Sequence, residues 1–253
     1  MLVILSFLFS ERNKHQYVES TDFMGKQFTQ IVYGKSEDCE NVISLVKSES
    51  FKIEGIISSD FYNSDVDRIN KSHGKWVKVE DVTINVIQKL IEISYNTDGI
   101  FNFVHLSGNQ QDLNSLIFRR IKNLKFDMLE IDEQSKKIRM LSDDLTISLD
   151  DAVDGLICNK AIEIYKNQKI KKAKVHIGNI SGYLNDDKSE TRNGFICTCK
   201  NSDLSDYKDK NDNEVDLAYK FYHKNDAIVA DILSKVYQKT NKEKFKKMLN
   251  FFT

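Results

Sequence analysis

Thr97-Asp98-Gly99-Ile100-Phe101-Asn102 joins an Asp-Gly pair to an aromatic ring and a side-chain amide. Asp-Gly tolerates the left-handed backbone that ends helices and opens turns. A polar turn beside an apolar ring can hold a flat ligand, and the same residues serve equally well as a helix C-cap followed by a strand start. A second stretch, Leu149-Asp150-Asp151-Ala152-Val153-Asp154-Gly155, precedes a predicted helix over 155–167. A glycine-bearing turn at a helix N-terminus suits an anionic group. Its three aspartates also suit N-cap and first-turn positions, where the helix dipole favours acids. Asp231 and Lys235 stand four apart on a predicted helix, the spacing of an ordinary surface salt bridge. His105 and His176 lie in strand-like runs, as structural residues or as proton carriers.

The elements that must position these groups belong to a chain of 253 residues, enough for one large domain or two lobes around a core. Hydrophobic residues make up 40% and charged residues 30%, a globular profile. The net charge of −1 gives no global signal for nucleic acid or an anionic membrane. Proline is absent, so turns rest on Gly, Asn, Asp and Ser. Cys39, Cys158, Cys197 and Cys199 show no zinc spacing and read as free thiols used as small apolar groups. The apolar run from Leu2 to Phe9 is too short to span a bilayer and lacks the basic residues that open a signal peptide. It reads as a signal remnant or as a first strand, and no transmembrane helix is expected.

Periodicity predicts a strand over 28–33, a helix over 36–51 and a short buried strand over 53–58. Asn63-Ser64-Asp65 caps a helical turn ending at Asn70, and Trp76 to Val79 is extended. Asp81 N-caps an amphipathic helix with the stripe Val82, Val86, Leu90 and Ile93. A strand follows over 101–106, then a meander of strands over 126–131, 137–141 and 145–149. A strand pair or a bent strand covers 173–184 around Gly178 and Gly182, polar loops cover 185–190 and 201–213, and a strand covers 215–222. Helices over 227–239 and 242–252 close the chain. This order predicts an α+β fold with mostly antiparallel sheets packed by helices.

Six segments carry a resemblance in their order and spacing. They are Phe23-Met24-Gly25-Lys26; Ile57-Ser58-Ser59-Asp60-Phe61 with Asn63 to Asn70; Thr97 to Asn102; Leu149 to Gly155; Val175-His176-Ile177-Gly178-Asn179; and Ala230-Asp231-Ile232-Leu233-Ser234-Lys235. From about residue 20 to residue 240 the chain resembles the ApbE-like flavin transferases, or FAD:protein FMN transferases. The resemblance implies an ApbE-like fold of two subdomains, preceded by a segment and linker over 1–19 and followed by a helix over 241–253. It implies FAD and a magnesium ion, with FMN moved from FAD onto a threonine of an acceptor protein. Members are usually exported or anchored at the bacterial membrane. Carried over by position, Met24, Asp98, Gly99, Phe101, Asp154, Gly155 and Gly178 would contact the flavin nucleotide. Asp231 and the carbonyl of Val153 would hold the metal.

Three elements depart from the family pattern. Asp150 to Gly155 stand where the family has Gly-Gly-Ile-Ala-Lys-Gly, so Asp154 replaces a lysine that would face phosphate. A carboxylate there repels phosphate by about 1 kcal/mol or more per close pair. Lys235 replaces a threonine four residues after Asp231, and an ammonium cannot ligate magnesium, which takes oxygens. The family's histidine segment, expected between Gly182 and Ala227, has no counterpart around His223. These changes leave two readings: a transferase weakened or inactive, or a non-catalytic flavin-binding or protein-interaction module on the same fold. They also suggest that the Lys235 ammonium takes the metal's place, bridged by Asp231 and Asp154.

Overall fold

The computed structural model describes residues 15–106, 129–185, 193–200, 218–240 and 242–252. The predicted Leu2 to Phe9 segment, most of both polar loops and the start of the strand expected over 215–222 lie outside these residues. The chain divides into two compact units. Unit 1 comprises Met1–Phe51 and Asp154–Ser234, and unit 2 comprises Lys52–Val153 and Lys235–Thr253.

Unit 1 is built on a six-stranded antiparallel sheet. Its strands are β1 (His15–Phe23), β2 (Lys26–Gly34), β8 (Lys172–Ile177), β9 (Ile180–Leu184), β10 (Gly194–Lys200) and β11 (Ala218–His223), hydrogen-bonded in that order. Alternation sets the inner face: Phe28, Gln30 and Val32 on β2 and Ala173, Val175 and Ile177 on β8 are all buried. Helix α4 (Asp150–Asn167) contributes Ile157, Cys158, Ala161 and Tyr165, each fully buried. At roughly 1.5–3 kcal/mol per fully buried large aliphatic side chain, this face is the main stabilising element of the unit. Buried polar groups are paired within it. The Tyr165 hydroxyl donates to Gln30 Oε1 at 2.8 Å, and Gln30 Nε2 donates to the Ile43 carbonyl at 3.2 Å.

Helix α1 (Ser36–Ile57) starts as predicted and runs six residues further, so the strand expected over 53–58 is helix. Val46, Ser50, Ile53 and Ile57 are all buried at helical spacing, so the stripe continues past Phe51 unbroken.

In unit 2, Ser64 caps α2 (Asp65–Asn70) by accepting from the Asp67 amide, as expected. Helix α3 (Asp81–Asn96) buries Val86, Leu90 and Ile93; Glu80 holds the N-cap position with no side-chain cap bond, so Asp81 is the first helical residue and not the cap. The predicted meander is divided instead between two sheets. Strand β5 (Leu129–Asp132) and β6 (Lys137–Met140) join β3 (Val77–Lys78), whereas β7 (Leu145–Ile147) pairs with β4 (Val104–Leu106). Asn70 explains the separate course of β7, because its side chain bonds both the amide and the carbonyl of Ile147. Helices α5 (Ala227–Gln238) and α6 (Lys242–Leu249) close the chain. No helix among the described residues is long and apolar enough to cross a membrane.

Candidate functional site

The β1–β2 hairpin turns through Met24 (φ 51°) and Gly25 (φ 68°), with Phe23 opposite Lys26. Two positive φ values in a two-residue loop make this a type I′ turn. Asn, Asp or Gly normally fills its first position, so Met24 carries backbone strain of about 1–2 kcal/mol there. The β8–β9 hairpin turns through Gly178 (φ 54°) and Asn179, a type II′ arrangement with glycine where it is required. Phe28 of β2 lies opposite Ile177 of β8, so the two turns emerge side by side from one end of the sheet.

Lys26 and Asp154 meet at that end. Lys26 Nζ lies 2.7 Å from Asp154 Oδ2, with side chains 43% and 11% exposed respectively. Gly178 covers the pair closely: a Cβ there would sit 2.6 Å from Asp154 Oδ2 and 3.5 Å from the Lys26 Cδ. The other carboxylate oxygen, Oδ1, is buried with no hydrogen-bond partner. Three of the residues nominated from sequence, Met24, Asp154 and Gly178, are thus gathered around a fourth, Lys26, that was not.

Unit 1 buries a second aspartate as well. Asp231 is 4% exposed, and its Oδ1 lies 3.7 Å from Cys197 Sγ, which is also 3.2 Å from Ser234 Oγ. Burial pushes the Cys158 thiol well above its ordinary pKa, and the charges of Asp154 and Asp231 add to that effect. Gly155 packs against backbone: its Cβ would fall 2.6 Å from Ile228 Cα and 2.7 Å from Ile228 N. The adjacent start of α5 is capped within the protein. Asn159 Oδ1 accepts from the Ala227 amide at 2.7 Å, and Asp226 Oδ1 accepts from the Ile228 amide at 2.9 Å.

Helix α4 begins at Asp150, five residues before the predicted start. Ser148 and Leu149 supply its first acceptors, to the Asp150 and Ala152 amides. Val153, Asp154 and Gly155 therefore lie within the helix rather than ahead of it, and the amides of Asp154 and Gly155 fall past the unpaired first turn.

Magnesium does not fit the donors present. The Val153 carbonyl lies inside α4, where an intrahelical bond engages one of its two lone pairs. Asp231 faces a thiol, and the residue one turn later carries an ammonium. Among the described residues, no group of three His, Cys, Asp or Glu side chains could hold a metal ion. Lys235 Nζ instead lies 2.7 Å from the Asp151 carbonyl oxygen and 3.2 Å from Asp151 Oδ1. The expected bridge from Lys235 to Asp154 is replaced by two separate pairs, Lys235 with Asp151 and Lys26 with Asp154.

Asp98, Gly99 and Phe101 lie in unit 2. Asp98 (φ 49°) and Gly99 (φ 65°) form the left-handed stop to α3. Thr97 Oγ1 donates to the Ile93 carbonyl and accepts from the Phe101 amide at 3.4 Å, locking the turn to its helix. Phe101 is 2% exposed, so its ring belongs to the core, while Asp98 is exposed and 3.9 Å from Lys244 Nζ. His176 bonds Ser181 Oγ through Nδ1 at 2.9 Å, and burial, then Lys174, lower its pKa. His105 sits opposite Thr146 in the β4–β7 pair.

Sequence reasoning missed Lys26 because its partner is 128 positions away. The signal available was the acid at 154 on an otherwise apolar helix face, which required a cation from elsewhere.

Comparison with known proteins is consistent with this geometry. A family model described as the ApbE family matches residues 24–192. The ApbE protein from Thermotoga maritima is 16% identical, with 94% of this chain and 91% of that chain covered and a TM-score of 0.68. The apo form of Pseudomonas stutzeri flavinyl transferase ApbE is 15% identical, with 93% and 87% covered and a TM-score of 0.69. The flavin transferase ApbE from Vibrio cholerae is 12% identical, with 93% and 90% covered and a TM-score of 0.69. These structures share the α+β fold. No curated protein sequence matches this one.

Proposed function

Because this chain belongs to the ApbE family, we propose that it binds a flavin nucleotide and does not transfer FMN by a magnesium-dependent route. The observation that carries this reading is the Lys235 ammonium, 2.7 Å from the main-chain oxygen of Asp151. An ammonium fixed on a carbonyl supplies one positive charge and hydrogen-bond donors. It cannot supply the octahedral oxygen coordination through which magnesium orients and polarises a diphosphate. Asp231, the remaining family metal position, is left buried beside the Cys197 thiol.

Flavin binding is supported by what remains. Met24, Asp154 and Gly178 converge at one sheet end, where two tight turns bring backbone close to any ligand. Gly155 would support that ligand indirectly, by allowing α4 to approach α5.

The test is to incubate the purified full chain with FAD, with and without magnesium chloride, in a lysate that supplies acceptor threonines. Flavin retained after desalting, AMP release and FMN-modified threonine peptides are then measured. Retained flavin, equal with and without magnesium, is expected, with no AMP and no modified peptide. Magnesium-dependent AMP release over several turnovers would refute the loss of transfer, and absence of retained flavin would refute the binding reading.

A further inference from the structure

We infer that Lys26 is the anion-binding group of this site, presented by Asp154 to a phosphate or pyrophosphate group of the bound nucleotide. The inference rests on the flavin-binding reading for the identity of the nucleotide, but its geometry stands apart from it. Asp154 is 8% exposed, on the buried side of α4, one turn before the fully buried Cys158. A carboxylate in such a place needs a cation. Lys26 supplies it from the β1–β2 turn, yet its side chain remains 43% exposed. An ammonium has three donors, and one is used by Asp154 Oδ2 at 2.7 Å. Two are left for a ligand.

The surroundings fix where those donors are presented. Lys26 follows directly on the type I′ turn at Met24–Gly25, and its Cδ lies against the Gly178 turn. A side chain at 178 would strike the Asp154 carboxylate, so glycine keeps the approach to the pair open. We place the carboxylate on the inner side of the pair, since the Asp154 side chain is 11% exposed and the Lys26 side chain 43%. An incoming phosphate therefore meets the positive charge at shorter range than the negative one, and attraction exceeds repulsion. This changes the meaning of the acid at 154. It does not repel the ligand so much as hold the cation that receives it, and the positive charge reaches the site from a turn instead of from the helix.

The experiment measures binding of riboflavin, FMN, FAD and inorganic pyrophosphate by isothermal titration, for the wild type, Lys26→Gln and Lys26→Arg. Circular dichroism melts confirm that each variant is folded. Lys26→Gln is expected to weaken pyrophosphate, FMN and FAD about tenfold or more, as for loss of one charge-assisted hydrogen bond, and to leave riboflavin unchanged. Lys26→Arg keeps the charge and the bond to Asp154, so its affinities should stay within roughly threefold of wild type. The inference is overturned if wild type does not bind pyrophosphate, if Lys26→Gln binds pyrophosphate and FMN as wild type does, or if riboflavin loses as much as FMN. Binding of pyrophosphate through Lys26 without any flavin binding would refute the flavin reading and leave the anion site standing. Flavin binding indifferent to Lys26 would do the reverse.

Discussion

Replacing Gly155 by alanine adds one methyl group in a place already occupied by backbone. The new Cβ would lie 2.6 Å from Ile228 Cα, 2.7 Å from Ile228 N and 2.9 Å from Ala227 C. Carbon atoms pack best at about 3.5–4.0 Å, so α5 must retreat by roughly 1 Å. Its first turn is tied to α4 by the Asn159–Ala227 bond of 2.7 Å, which that retreat would lengthen. Overpacking of this kind costs about 1–3 kcal/mol, and the rigid backbone on the far side puts this case at the upper end. The gain of about 1 kcal/mol in helix propensity offsets part of it. The net loss is about 2 kcal/mol, or a fall of about 4–8 °C in Tm for a chain of this size. Gly55, in α1, is the internal control, because its Cβ would meet nothing within 4 Å. Gly55→Ala should therefore stabilise by up to about 1 kcal/mol. Thermal melts by circular dichroism, with urea midpoints alongside, compare the two variants. A Gly155→Ala protein that melts at or above wild type, or a Gly55→Ala protein that falls as far, would refute the packing argument.

Tyr165→Phe removes a hydroxyl that donates to the fully buried Gln30 Oε1, leaving that acceptor without its partner. A loss of about 1–2 kcal/mol is expected in urea unfolding, and an unchanged midpoint would show that the bond is not needed. His176 gives a pH dependence of defined sign. Its pKa is lowered in the folded protein by burial and by Lys174, so the unfolded chain takes up the proton first as pH falls. Stability associated with this group is complete above the unfolded value of about 6.5 and declines as pH drops from there through the folded value. Urea midpoints measured from pH 7.5 to pH 5 should fall less steeply for His176→Gln than for wild type, and parallel slopes would contradict the assignment.

Much of the fold was legible because the periodicities were strong. The stripe of α3 and the Ser64 cap of α2 gave elements within a residue or two of their observed limits. Where reading failed, either the local pattern was ambiguous or the deciding contact was distant in sequence. Ile53 to Ile57 is apolar enough for a strand, and only its continuity with Val46 and Ser50 on one buried face marks it as helix. The course of β7 was set by Asn70, which no local pattern near residue 145 reveals. Strand β1 went unseen because its outward residues Gln16, Val18, Ser20 and Asp22 are exposed at a sheet edge, which blurs the apolar alternation. At the candidate site the same limit applied. Asp154 and Gly178 could be nominated by position, whereas Lys26 is defined by a partner 128 residues on.

The pairing of β2 with β8 also imposes an order of events on synthesis. The hairpin of β1 and β2 is complete by Gly34, but its neighbour begins at Lys172, roughly 140 residues later. At about 5–20 residues per second, a ribosome takes on the order of ten seconds or more to supply it. Throughout that interval the hairpin's inner face, with Phe28 and Val32, has no strand beside it and no α4 above it. Unit 1 is therefore assembled from the two ends of its own history, and a nascent chain arrested before residue 172 holds an apolar hairpin suited to a chaperone. A ribosome-stalling series extending some tens of residues past Ile177 would show protease resistance of β2 appearing only once β8 has left the exit tunnel.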